Sequence, residues 1–342
     1  PLRELGDCDA AHQLAKSPRR GHEELPNGDS PRGGDSPRFL LEAMPEGSFF
    51  SRLCIMKALL LTSPSRLELA DLDLPAVGMG EVRIRIAACG ICGSDVHGYT
   101  GATGRRIPPL VMGHEAAGTV DTLGAGVADL APGDRVVLDS TVFCGACAHC
   151  RADAENLCTR REVLGVSCGQ YRRHGCFAEF VTVPRRVVHP IPDALDFVSA
   201  ALLEPLTIAL HAVRLGQAGP ATRSAVVVGA GTIGLAVVAA LVAQGVPRIA
   251  AIDLDEGRLG QARRLGATET FVAGEQAGAA AAQWGSSSPD TDGADLVVEA
   301  VGSTPAPAIV PSVETWYDPS IDKHPMDVAA DEAREDRAVL EN

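Results

Sequence analysis

Apolar and polar positions change rhythm twice along the chain. From Met56, KALLL carries a buried strand's pattern, and EVRIRIAACG (81–90) alternates as a half-buried strand should. GTV, DRVVL and FAEFVTVP follow as short β runs broken by Gly and Pro. Up to about Pro184 the chain therefore reads as a β-rich domain carrying loops. SAALLEPLTIALHAVRL (199–215) has helical spacing. From Ser224 the rhythm changes again. AVVVGAGTIGLAVVAALVAQG predicts strand, turn and helix; RIAAID a second strand; EGRLGQARRLGA a helix; ETFVA a third strand; ADLVVEAVG a fourth. Strands alternating with helices predict a parallel, doubly wound sheet, so the fold class is α/β with a β-rich first domain.

The two ends lack these rhythms. SPR recurs at Ser17, Ser30 and Ser36 among Gly, Asp, Glu and Arg. Such a stretch buries too little apolar surface to order itself, which predicts a disordered extension or wrongly translated upstream sequence. After about Thr304 the chain is Pro-rich, then acidic, with no buried strand pattern. A six-stranded dinucleotide sheet needs roughly two strands more. The expected organisation is an extension over 1–55, a β domain over 56–205, a partial doubly wound domain over 206–304 and an acidic tail over 305–342.

Composition narrows the function. The 342 residues suffice for about two domains. A formal net charge of −14 makes nucleic acid and anionic membranes poor partners. There is no apolar run of about 18 residues and no charged-then-apolar leader. Ten cysteines without an export signal point to metal binding in a reducing, cytoplasmic compartment. The chain opens on Pro1, as a fragment would.

The cysteines are not spread evenly. Cys144, Cys147, Cys150 and Cys158 form C-x2-C-x2-C-x7-C. Four thiolates on one loop can close a tetrahedron around Zn²⁺ and leave no position for substrate. Tight Cys-x2-Cys spacing also suits a redox pair or an iron–sulfur cluster, but cluster runs usually space the last cysteine differently. His149 sits inside this loop as a bystander. Upstream, Cys92 in GICGSDVHGY and His114 with Glu115 in GHEAAG make a mixed set from distant segments, which suits a catalytic zinc with an open position. Asp95 is placed to orient an imidazole ligand. Ser94 and His97 offer a hydroxyl and an imidazole for a proton relay, and Glu204 in LLEPL a further oxygen ligand. Downstream, GAGTIG gives Gly229, Gly231 and Gly234 between a strand and a helix, and Asp253 ends the next strand 19 residues past Gly234. That context reads as a dinucleotide fingerprint. Asp253 can bond both ribose hydroxyls and repels a 2′-phosphate, which favours NAD over NADP. Arg258, in the following helix, joins these four in the cofactor-binding set. Cys8, Cys54, Cys89, Cys168 and Cys176 have no assigned role, and His189 and His211 read as structural.

At these residues the chain resembles the zinc-dependent medium-chain alcohol dehydrogenases. GICGSDVHGY, VMGHEAAGTV, PGDRVV, the four-cysteine lobe, LLEPL, VVVGAGTIG and LVVEAVG stand in that family's order between about Met56 and Thr304. GHE and LLEP look most like the polyol branch, the sorbitol and galactitol-phosphate dehydrogenases, with threonine dehydrogenase close by. The resemblance implies a GroES-like β domain followed by a Rossmann domain. It implies one catalytic zinc at Cys92, His114 and Glu115, with Glu204 bound directly or through water, and one structural zinc at the lobe. It further implies NAD on Gly229, Gly231, Gly234 and Asp253, a small alcohol or polyol as substrate, and a homodimer or homotetramer. Such a zinc polarises a secondary alcohol, Ser94 and His97 carry its proton outward, and its carbon passes hydride to NAD. Past LVVEAVG the sequence departs from the family. From that departure the expectation is retained lobe zinc, weak NAD binding at most and no turnover. The alternative to a working dehydrogenase is a non-catalytic zinc-binding fragment.

Overall fold

The computed structural model describes residues 55–273 and 294–301. The expectations for the first 54 residues and for everything after Val301 lie outside them. In chain order the first domain runs β1 (Ile55–Ser63), β2 (Arg66–Asp73), β3 (Glu81–Gly90), α1 (Gly93–Tyr99), β4 (Leu110–Val111), β5 (Glu115–Leu123), β6 (Arg135–Leu138) and β7 (Thr141–Val142). It continues with α2 (Ala148–Arg151), β8 (Glu162–Val163), β9 (Val166–Ser167), β10 (Arg172–Arg173), β11 (Phe180–Pro184), β12 (Val188–Pro190) and α3 (Phe197–Ala201). A five-stranded sheet in the order β11-β3-β5-β6-β12 carries the core, with a three-stranded sheet β2-β1-β4 beside it. Val82, Ile84, Val136 and Val183 meet in that core, each fully buried. Each such side chain contributes about 1.5–3 kcal/mol by leaving water.

Two local departures from the sequence pattern have physical causes. β1 is only half-buried: buried Met56 and Ala58 alternate with exposed Ile55 and Lys57, and the alternation lapses at Leu59 and Leu60 before buried Leu61. In β3 the alternation is interrupted by Arg83, which is buried because Asp121 Oδ2 (2.8 Å), Thr122 Oγ1 (2.8 Å) and the Pro75 carbonyl (3.2 Å) receive its guanidinium.

The second domain follows α4 (Leu203–Leu215). The predicted helix over 199–215 is broken at Leu202, since Pro205 has no N–H to give the Ala201 carbonyl and instead opens a new first turn. β13 (Ser224–Val228), α5 (Thr232–Ala243), β14 (Arg248–Asp253), α6 (Glu256–Leu265), β15 (Glu269–Val272) and β16 (Leu296–Glu299) then form a parallel sheet in the order β15-β14-β13-β16. Every residue of β13 is buried, as a central parallel strand requires. On one face Val227, Ile249 and Ala251 pack beneath α4, α5 and α6 through Ala212, Val237, Leu241 and Leu259. On the other, Val226, Val228, Ala250, Ile252 and Val297 gather around Phe271. α6 starts on Asp255, whose carboxylate accepts from Arg258 N–H at 3.0 Å, and ends on left-handed Gly266. No helix among the described residues is long and apolar enough to cross a membrane.

Candidate metal and cofactor sites

The end of β3 and the start of β5 build the first site. Gly90 pairs with Glu115 across the sheet, and a Cβ at Gly90 would overlap Glu115 Oε2. Glycine there lets the carboxylate fold across the strand end. Gly113, at φ +91 and packed under the Phe177 ring, turns the chain so that His114 and Glu115 follow directly. Cys92 caps α1, and its backbone N–H donates to Asp95 Oδ2 at 3.2 Å. This is a capping box with cysteine in the serine position, and it pins Asp95 below Cys92.

The Cys92 sulfur, a ring nitrogen of His114 and a carboxylate oxygen of Glu115 all lie within 4.8 Å of one another. His114 Nδ1 faces Asp95 Oδ1 at 3.6 Å, and neither atom has a hydrogen-bond partner among the described residues although both are buried. Burial pushes the His114 imidazole down, but the Asp95 carboxylate and the Cys92 sulfur outweigh it and draw it up to about 10. Burial pushes Asp95 up, and His114 with Arg106 more than reverses that. Glu115 is raised by burial, which the His114 charge offsets in part. An orphaned buried imidazole nitrogen beside a carboxylate, in a thiol–imidazole–carboxylate set, fits zinc with an open fourth position.

Glu204, in the first turn of α4, is not part of that close trio. Its Oε1 accepts from Ser140 Oγ at 3.0 Å, and burial raises its carboxyl while the nearby His114 charge pulls it back. Ser94 sits half-buried in the first turn of α1 and accepts from Arg106 Nη2 at 3.2 Å. His97 stands exposed in the last turn, three positions along the same helix. Sequence reasoning missed Arg106 and Ser140. Nothing in RRIPP or LDST marks them, because their partners are 12 and 64 residues away.

The lobe gathers Cys144, Cys147, Cys150 and Cys158, whose sulfurs all lie within 4.8 Å of one another. Cys147 caps α2 and accepts from Cys150 N–H at 3.5 Å; Cys144 Sγ accepts from Ala146 N–H at 3.4 Å and Cys158 Sγ from Cys144 N–H at 3.3 Å. Those amides hold the Cys144 thiol down to about 5, with the Ala146 amide foremost, and Cys147 down to about 7, while burial raises Cys150 to about 11. Four sulfurs and no open side fit a closed zinc site. His149 lies exposed on α2, outside the four.

The glycine turn after β13 divides three tasks. Gly229 takes φ +94, and a Cβ there would strike Ala300 and Val301. Gly234 lets α5 press on the strand end, where a Cβ would overlap the Gly229 carbonyl oxygen. At Gly231, at the N-terminus of α5, an added Cβ would meet no described atom within 4 Å, and the open space leaves room for a pyrophosphate. Asp253 is folded onto this turn: Oδ2 accepts from Ala230 N–H at 2.7 Å and Oδ1 from Asp255 N–H at 2.9 Å. Arg258, 60% exposed, lies 3.8 Å from Asp253 Oδ1.

Comparison with known proteins places this architecture. Residues 78–193 match the alcohol dehydrogenase GroES-like domain. Galactitol 1-phosphate 5-dehydrogenase of Escherichia coli K12 is 34% identical over 221 residues, 64% of this chain and 62% of that enzyme. The chain thus spans less than two thirds of that relative's length. The crystal structure of RspB from E. coli CFT073 with NADH superposes at a TM-score of 0.66 with 32% identity, covering 75% of this chain and 74% of the other. YdjJ of E. coli K12, described as an uncharacterized zinc-type alcohol dehydrogenase-like protein, is 33% identical over 250 residues, 71% of this chain and 70% of its own length. With a third of its residues shared over that span, on the same fold, the chain belongs to the zinc-type alcohol dehydrogenase family.

Proposed function

We propose that the protein is a zinc-dependent oxidoreductase that oxidises a polyol or other secondary alcohol to a ketone, with hydride transfer to NAD. The observation that carries this reading is the Cys92–His114–Glu115 trio, with His114 Nδ1 buried against Asp95 and without a hydrogen-bond partner among the described residues. Cys92, His114 and Glu115 would hold the catalytic zinc, Glu204 would add an oxygen directly or through water, and the lobe would hold a structural zinc. Bound there, zinc polarises the alcohol hydroxyl and makes its proton easier to lose. Ser94 accepts that proton and His97, nearer solvent, passes it out. The Gly231 turn admits the pyrophosphate. Asp253 would turn from the Ala230 amide to the ribose and disfavour a 2′-phosphate, with Arg258 at the rim.

The polyol class is supported by the relative that acts on galactitol 1-phosphate. A cytoplasmic location fits eight unpaired cysteines among the described residues. A homodimer or homotetramer is the assembly the family resemblance favours. The test is NADH formation by the zinc-loaded protein with sorbitol, galactitol, galactitol 1-phosphate, xylitol and L-threonine. Turnover abolished by Cys92→Ala and slowed roughly 10²-fold or more by His97→Ala supports the reading. A zinc-replete protein that binds NAD and oxidises none of the five overturns it and favours the non-catalytic zinc-binding fragment instead.

A further inference from the structure

One guanidinium stands behind both halves of this centre. Arg106 follows α1 by seven residues, and its backbone is fixed beside Ser167. Its side chain, 2% exposed, crosses Gly98, where a Cβ would overlap Arg106 Cγ. Nη2 lies 3.2 Å from Ser94 Oγ and 3.7 Å from Asp95 Oδ1, the same oxygen that faces His114 Nδ1 at 3.6 Å. Nη1 donates to the Arg105 carbonyl at 3.3 Å, and Nε has no hydrogen-bond partner among the described residues. Burying a guanidinium is costly unless it is paired. The side chains it meets are the hydroxyl of the relay and the carboxylate behind an imidazole ligand.

We propose that Arg106 is a positioning residue that ties the Ser94 hydroxyl to the Asp95 carboxylate, so that one nitrogen sets both the proton path and the orientation of His114. The proposal rests on the reading of Cys92 and His114 as ligands and Ser94 as relay. A serine hydroxyl has one proton to donate and two acceptor positions. Arg106, whose guanidinium offers donors and no acceptor, occupies one acceptor position. The Ser94 proton must then point away from Arg106, and the remaining lone pair is free for an incoming alcohol hydroxyl. The relay thereby acquires a direction. The same nitrogen is the counter-charge of a carboxylate that is 2% exposed. Without it, Asp95 is a buried charge lacking one of its fixed neighbours, and His114 loses a firmly held orienting partner.

The full chain loaded with Co²⁺ tests this, with the Cys92→Ala variant identifying which d–d absorption belongs to the Cys92 site. Arg106→Gln is expected to shift that band and to lower Co²⁺ affinity there roughly 10–100-fold, while the lobe signal stays. Arg106→Lys keeps the charge but not the fork, and is expected to shift the band part-way; it decides alone if the Gln variant does not fold. In the zinc- and NAD-loaded enzyme, Arg106→Gln should lower kcat with KM for NAD unmoved, and Ser94→Ala should cost less in that background than in the wild type. A Cys92-dependent band identical to wild type in a folded Arg106 variant overturns the proposal alone. No Cys92-dependent band in the wild type overturns the metal-centre reading and the proposal together.

Discussion

The lobe draws four sulfurs from 15 consecutive residues, 144–158, whereas the Cys92 cluster joins Cys92 to His114, 22 residues on, and leans on groups from farther still. In the lobe the organising bonds are local amides to sulfur, from Ala146, Cys150 and Cys144. Around Cys92 they cross the domain: Gly90 opposite Glu115, Asp95 opposite His114, Arg106 under Ser94, Ser140 on Glu204. A short loop closes at small entropic cost and needs little from the core. A cluster assembled from separate strands is only as exact as the sheet that carries it. The lobe has no free side, and the other has one; the first suits holding a metal and the second suits exchanging what binds to it.

The largest effect that can break this contrast is metal retention. Mild chelation should strip the metal at Cys92 and leave about one zinc per chain at the lobe. Cys147→Ala should then abolish the retained zinc, and Cys92→Ala should abolish only the labile one. Elemental analysis before and after chelation reads both. If Cys147→Ala leaves the retained metal in place, the lobe is not the closed site.

The same contrast explains what was readable in the sequence. The lobe's members are visible because ligand spacing on one loop is itself the geometry. The GHE and GICGSD segments are visible as chemistry, but their closeness comes from the β3–β5 register, which two strands of alternating residues fix only once paired. Arg106 and Ser140 carry no pattern, since a buried polar group is specified by its partner and not by its neighbours in sequence. Arg83 misleads in the same way: an arginine in an alternating strand reads as solvent-facing until Asp121 is placed beside it. The parallel sheet was legible down to its four strands because three are short apolar runs and the fourth, ETFV, follows a helix pattern in the same alternation. The helical spacing over 199–215 holds in two pieces, with Glu204 at the start of the second, because Pro205 removes the hydrogen bond that would join them.

Gly90→Ala should produce the next largest effect, confined to one side of the contrast. Its methyl would overlap Glu115 Oε2 and drive the carboxylate out of the trio. Affinity for Co²⁺ at the Cys92 site should fall roughly 10–100-fold, with the lobe's metal unchanged. Titration followed by d–d absorption measures it. Equal affinity would mean that Glu115 moves freely and contributes no ligand.

A smaller effect is expected from proton competition in metal-free protein. The thiolate is the reactive form, so a lowered thiol reacts at lower pH. Cys144, held down to about 5, and Cys147, down to about 7, should alkylate with iodoacetamide at pH 6–7. Cys176, fully buried and pushed up to about 12, should stay unmodified until the protein unfolds. Mass spectrometry of the labelled peptides ranks them. Cys176 reacting alongside Cys144 would show that the first domain opens without metal, and the lobe's independence from the core would be lost.

The smallest effect sharpens the comparison through its two arginines. Arg160 Nη2 reaches Cys144 Sγ at 3.4 Å, much as Arg106 Nη2 reaches Ser94 Oγ at 3.2 Å. The environments differ. Arg160 is exposed, so water and salt screen its charge and can replace its hydrogen bond. Arg106 is buried, and no solvent stands ready to take its place. Three backbone amides already serve the lobe sulfurs, so removing one screened side chain takes away little that is not supplied locally. Arg160→Gln should leave the chelation-resistant zinc at about one per chain and move Tm by no more than about 2 °C. Arg106→Gln should do its damage entirely at the other site. Metal analysis and a thermal melt on both variants decide it: if Arg160→Gln releases the lobe zinc, the lobe depends on a surface charge and its local amides are not sufficient to hold it.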